Sequence, residues 1–200
     1  MRLWFYEPTS TNEPHINRLV AKADGPFCHC ELQFNDGAAF TLYMGSPAIM
    51  RRRTFKSKNY SCVSVKCSIE QESACRACAE EACRVGVPFS IVRMMNAYWQ
   101  TSIISTPLHT LQSAQLQTHG VPLLLAVGSF CSELVVMALQ AGHVIPITTS
   151  AAYTSPSALA RLLSSNVSSI GVSVRTAAAS LRGSGTTSAC SQAIDFRAVR

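Results

Sequence analysis

The sequence predicts an α+β fold in which a small antiparallel sheet packs on one buried helix. Three observations carry this. Up to residue 68 the chain breaks into short strand-like segments around a strong hairpin signal. At residue 69 the apolar spacing changes to that of a helix. Further on, an apolar stretch, "VPLLLAVGSFCSELVVMALQAG", ends in a helical run closed by Gly142.

In order, "MRLWFYEP" alternates loosely and reads as a strand, and "NRLVAKADGP" leads to a turn at Asp24-Gly25-Pro26. "FCHCELQF", residues 27–34, reads as a strand by its length and its bounding turns. "NDG", residues 35–37, is a hairpin turn, and "AAFTLYMG", residues 38–45, is the returning strand. "RRRTFKSKN" reads as a polar connection, and "YSCVSVKCS", residues 60–68, as a further strand. Residues 69–84 form an amphipathic helix, with Ile69, Cys75, Cys78, Ala79 and Ala82 at helical spacing and Gly86 as its C-terminal stop. Residues 88–122 show no clear pattern, broken by Pro88, Pro107 and Pro122. Residues 133–141 read as a buried helix. Ser155 before Pro156 marks the N-terminus of a short helix in "YTSPSALARLL", residues 153–163. From residue 164 to 200 the composition turns to Ser, Thr, Ala and Gly, which predicts a disordered tail after a domain spanning 1–163.

Composition narrows the classes. A chain of 200 residues with 48% hydrophobic residues can build one full core. The net charge is +6, and the basic run "RRRTFKSK" lacks the interleaved aromatic residues of a nucleic-acid platform, so it reads as a solvated loop and no nucleic-acid partner is expected. Nine cysteines and no apolar leader in "MRLWFYEPTS" predict free thiols and a cytoplasmic location. The apolar stretch at residues 121–142 has about the length of a membrane span. Glu133 near its middle would cost at least about 2.5 kcal/mol in lipid. Gly128 and Ser129 also interrupt the run, and no lysine or arginine flanks it, so a buried strand-turn-helix is expected and no transmembrane span. Cys75, Cys78 and Cys83 suggest zinc only weakly, because no second Cys-x-x-Cys completes a ligand set; no metal or cofactor is expected.

The chemistry-bearing residues are Cys131 and His29. Cys131 stands where the glycine-serine break gives way to helix. Backbone N–H groups and the helix dipole stabilise a thiolate there, and a neighbouring imidazole completes an ion pair. His29 lies on the strand before the hairpin; Glu31 shares its face, and Cys30 points to the opposite one.

Taken together, "CHCELQFNDGAAFT" and "FCSELVVMALQAG" resemble the circularly permuted branch of the NlpC-type papain-like superfamily, in which the strand histidine precedes the cysteine helix. "TSPSALARLL" is similar to the segment that often closes such domains. Among permuted members, the layout is most similar to those encoded by large DNA viruses, which would place the protein in the host cytoplasm or the virion. The resemblance spans roughly residues 1–163 and implies a permuted papain-like fold. It implies that Cys131 is the nucleophile and His29 the general base. Counting through "NDG" puts Thr41 at the position of the third, ring-orienting residue. A threonine there departs from the usual histidine or acid and leaves that role open, with Glu31 as the alternative. The amides of Ser132 and Glu133 would hold the oxyanion. The implied activity is a cysteine hydrolase, peptidase or amidase, acting on a peptide, amide or acyl substrate through a thioester. A lipid-directed acyltransferase or thioesterase is the alternative within the fold, and a non-catalytic binding module the alternative outside enzymes. Nothing in the sequence indicates an oligomeric state.

Overall fold

The computed structural model describes residues 1–9, 13–55, 58–102, 128–165 and 173–175. The protein is mixed α and β, with one antiparallel sheet and five α-helices among the described residues. The strands are β1 (Arg2–Tyr6), β2 (His29–Gln33), β3 (Ala38–Leu42), β4 (Ala48–Arg52), β5 (Tyr60–Ser64) and a three-residue β6 (Ser173–Arg175). Their order in the sheet is β4-β3-β2-β1-β5-β6. The helices are α1 (His15–Asp24), α2 (Ile69–Val85), α3 (Ile91–Ser102), α4 (Cys131–Ala141) and α5 (Pro156–Ser165).

Side-chain alternation divides the sheet into two unlike faces. Leu3, Phe5, Cys30, Leu32, Phe40, Leu42 and Val63 form one, all buried, and share the main core with Cys75, Ala79 and Ala82 of α2 and with α4. The other face carries Trp4, Tyr6, His29, Glu31, Gln33, Thr41 and Tyr60, as the pairings Trp4–Glu31, Tyr6–His29 and Tyr6–Tyr60 require. The "NDG" turn forms as expected: Asp36 accepts from the Ala38 amide at 3.0 Å, and the Phe34 amide bonds the Ala38 carbonyl at 2.8 Å. Helix α2 docks on that turn through Glu72 to the Asn35 amide, 2.7 Å, and Arg76 to Asp36, 2.7 Å.

Helix α4 lies at the centre. Each residue from Cys131 to Val136 is buried, which accounts for its membrane-like apolarity, since a helix enclosed on all sides is apolar all round. No helix of the described residues is long and apolar enough to cross a membrane; residues 121–127 of the apolar stretch lie outside the described residues. The C-terminus of α4 meets α2 at Gly142. A Cβ there would lie 2.4 Å from Cys75 Sγ and 2.5 Å from the Gln71 carbonyl oxygen.

Several expectations change. "NRLVAKAD" belongs to a helix, α1, which buries Val20 against α3. Arg51 and Arg52 of the expected polar connection are the end of β4, paired to Ala39 and Ala38. The strand expected over 60–68 stops at Ser64, because Ser68 opens α2 with a capping box: its hydroxyl accepts from the Gln71 amide at 3.2 Å, and the Gln71 side chain accepts from the Ser68 amide at 3.0 Å. Within 88–122, residues 91–102 are α3, and 103–127 lie outside the described residues. Of the expected tail, Ser164 and Ser165 finish α5 and 173–175 pair with β5; the remainder lies outside the described residues.

Candidate active site

The start of α4 is set by a short, constrained approach. Gly128 has φ +72°, and a Cβ on it would meet Ser90 Cβ at 2.9 Å and the Pro88 carbonyl at 3.0 Å, so only glycine fits. Ser129 is then bonded on both sides, its amide to Pro88 O at 2.9 Å and its carbonyl from the Ser90 amide at 2.7 Å. Phe130 is the extended N-cap residue and its side chain caps nothing. The amides of Cys131, Ser132 and Glu133 precede the first helical bond, from Leu134 N–H to the Phe130 carbonyl at 3.2 Å. They are the first-turn donors that a thiolate or an oxyanion can use.

A second, smaller core fixes both halves of the site. Val20 of α1, Met94, Ala97 and Tyr98 of α3, Cys28 and Phe130 pack together. Cys28 immediately precedes His29 and Phe130 immediately precedes Cys131, so one cluster holds the residues flanking the imidazole and the thiol. The segment before β2 is fixed again from α5. Ser155 caps that helix by accepting from the Ala158 amide at 3.0 Å, as expected, and also bonds Asp24. The Ser157 hydroxyl accepts from the Phe27 amide at 3.1 Å. The "SPS" of α5 thus clamps the chain just ahead of His29.

The Cys131 thiol, 5% exposed, hydrogen-bonds the His29 ring, and the Cys30 thiol also bonds it. The Cys30 side chain faces the core, as alternation requires, yet it still reaches Cys131, because α4 begins beside the start of β2 within reach of both strand faces. The Cys30 bond is the largest influence holding the Cys131 thiol well below its usual range; burial opposes it, and the His29 charge and hydrogen bond add to it. Burial works against the charged imidazole, but Cys131 and then Glu31 outweigh it, and His29 is raised to about 9. Burial and the bond to Cys131 push the Cys30 thiol well up, so Cys30 stays a donor. The two directions both favour a thiolate–imidazolium pair over a neutral one.

Around the far ring nitrogen the geometry is dense. Thr41, as counted, lies 3.1 Å from His29 Nε2, and its hydroxyl donates to the Cys30 carbonyl at 3.0 Å. With that single proton spent, Thr41 accepts from Nε2–H, which leaves Nδ1 as the nitrogen available to the thiol. Glu31, 1% exposed, has Oε1 at 3.7 Å from His29 Nε2. Its other partners are Arg53 at 2.6 Å, Tyr43 OH at 2.9 Å and Tyr60 OH at 3.2 Å. The Tyr43 ring stacks on His29 with centroids 4.8 Å apart. The basic run is therefore not simply a solvated loop, because its third arginine turns inward.

Glu133 is buried and spoken for: Ser129 Oγ donates to it at 2.8 Å, and Arg93 of α3 forks onto both oxygens, with Nε at 3.1 Å. Its carboxylate ties α3 to the cysteine helix, and only its amide remains for an oxyanion. Ser132 Oγ is buried and has no hydrogen-bond partner among the described residues. Sequence reasoning missed Cys30, Tyr43 and Arg53. Alternation could have found Tyr43, two residues beyond Thr41 on the His29 face; the other two depend on how distant segments meet. Among the described residues no group of three His, Cys, Asp or Glu is arranged to hold a metal ion. Compared with known proteins, the chain matches no family model, no curated protein and no solved structure.

Proposed function

We propose that the protein is a cysteine hydrolase of permuted papain-like fold, a peptidase or amidase that works through a thioester on Cys131. The observation that carries this reading is the buried Cys131–His29 contact at the open N-terminus of α4, with the thiol held low and the imidazole held high. The Cys131 thiolate attacks the substrate carbonyl carbon. The oxyanion so formed is held by first-turn amides, among them those of Ser132 and Glu133. The imidazolium of His29 gives its proton to the leaving amine as the C–N bond breaks, leaving a Cys131 thioester and a neutral ring. Water then attacks the thioester, His29 takes its proton, and the acid departs as Cys131 recovers the thiolate and His29 the imidazolium. Thr41 holds the ring tautomer through Nε2.

The test is a panel of fluorogenic peptide, isopeptide, amide and thioester substrates with the wild-type protein and Cys131→Ala. Turnover of an amide or isopeptide that Cys131→Ala abolishes supports the proposal. Turnover confined to thioesters or lipid esters selects the thioesterase or acyltransferase alternative. Equal rates for both proteins on every substrate would sink the enzyme reading.

A further inference from the structure

We propose that Glu31 and Arg53, with the hydroxyls of Tyr43 and Tyr60, form a buried acid clamp behind His29, and that Arg53 is a positioning residue acting on the imidazole through Glu31. The inference rests on the hydrolase reading for its purpose but not for its geometry.

On the side of the ring away from Cys131, Thr41 alone provides no negative charge. A hydroxyl that donates to the Cys30 carbonyl can accept from Nε2–H but cannot balance an imidazolium. The nearest carboxylate, Glu31, stands 3.7 Å from that nitrogen, too far for a direct hydrogen bond and close enough for a strong charge interaction. At 1% exposure an isolated carboxylate would take up a proton. The charged ring is the first influence that keeps it ionised, and when the ring is neutral three donors remain to do so: Arg53 Nη1, Tyr43 OH and Tyr60 OH.

Arg53 is itself built into place. Its amide bonds the Gly37 carbonyl at 3.2 Å, and its carbonyl accepts from Gln33 Nε2 at 2.8 Å. Its guanidinium lies over the Phe55 ring at 4.9 Å and the Tyr60 ring at 5.5 Å, and Phe55 stacks on Trp4 at 4.5 Å. Apolar residues would stabilise this layer at least as well as a buried ion pair does. A pair kept here, against the ring that contacts the thiol, is explained by what it does to that ring. Among the described residues, the other titratable groups around the assembly include Cys131 and Cys30 at the thiol side, with Cys28 and Tyr98 near enough to interact with Cys131, Tyr6 across from His29 on β1, and Arg51 over Tyr43 at 5.9 Å.

The experiment is an NMR titration of the His29 ring in the full chain, wild type beside Glu31→Gln, Arg53→Met and Arg53→Lys, with folding checked by thermal melting. Glu31→Gln, which keeps shape and removes charge, is expected to lower the His29 midpoint by about one pH unit or more. Arg53→Met gives the more discriminating sign. Simple removal of a nearby positive charge would raise the midpoint; the clamp predicts a fall, because Glu31 loses its charge with Arg53. Arg53→Lys is expected to restore part of the wild-type value. A His29 midpoint unmoved in folded Glu31→Gln, or raised in folded Arg53→Met, overturns the clamp. If Arg53→Met fails to fold, Glu31→Gln decides alone. The titration reads the clamp and substrate turnover reads the hydrolase, so either can fail without the other.

Discussion

Replacing Arg93 with leucine isolates a carboxylate two residues from Cys131. Glu133 is 1% exposed, and its two oxygens are covered by the Arg93 fork and by Ser129 Oγ at 2.8 Å. Removing one partner of a buried ion pair costs about 3–5 kcal/mol. Glu133 keeps its Ser129 hydrogen bond, so the low end, about 3 kcal/mol, is expected. The reverse change is cheaper. Arg93 keeps 19% of its side chain exposed, so in Glu133→Leu its head can turn to water, at a cost of about 1–2 kcal/mol. The double variant should recover much of the loss of Arg93→Leu, because it leaves no orphaned charge. Urea unfolding of all four proteins measures this. An Arg93→Leu protein within about 0.5 kcal/mol of wild type, or a Glu133→Leu protein less stable than Arg93→Leu, refutes the reasoning. Alkylation of Cys131 in Glu133→Gln should keep its wild-type pH profile, since the carboxylate is turned toward α3 and away from the chemistry.

Other outcomes follow from the same contacts. Gly142→Ala should destabilise by about 1–3 kcal/mol in urea, because the new methyl meets the Gln71 backbone as well as Cys75 Sγ and the two helices must part; Cys75→Ala should relieve only the sulfur's share. Ser155→Ala removes a cap and a bond to Asp24 together, and should cost about 1–2 kcal/mol by thermal melting. Burial raises the Glu31 carboxyl, but His29 first and then Arg53 outweigh it and hold it below its usual 4.5. Its contribution is therefore present above the unfolded-state value and is lost as pH falls through the folded-state one. Stability measured from pH 6 downward should fall less steeply in Glu31→Gln than in wild type.

The parts of the fold legible in the sequence were those set by local chemistry. "NDG" gave the hairpin, Gly86 ended α2, and Ser155-Pro156 opened α5, because each signal acts on its own few residues. Counting across the hairpin also placed Thr41 at the His29 ring. What escaped was decided by distant segments. Helix α1 shows few apolar positions because it buries little but Val20. "RRR" reads as a loop until β3 supplies the partner that makes Arg51 and Arg52 strand and turns Arg53 inward over Glu31. Cys30 obeys the alternation that sends it to the core, and its bond to Cys131 depends on where a helix a hundred residues later begins. Residues 103–127, which include much of the stretch with no clear pattern, lie outside the described structure.

The central claim is that Cys131 is held as a thiolate by the Cys30 hydrogen bond together with the His29 charge beside it. Limited iodoacetamide labelling at pH 6, read cysteine by cysteine by mass spectrometry in wild type and His29→Ala, tests it directly. An ordinary thiol is only about 0.3% ionised at that pH. Cys131 should therefore be labelled far ahead of the chain's other cysteines at pH 6, the lead should shrink in His29→Ala, where only the Cys30 bond remains, and it should narrow at pH 9. Even labelling across all nine cysteines in the wild type, or a Cys131 lead undiminished by loss of His29, would contradict the account.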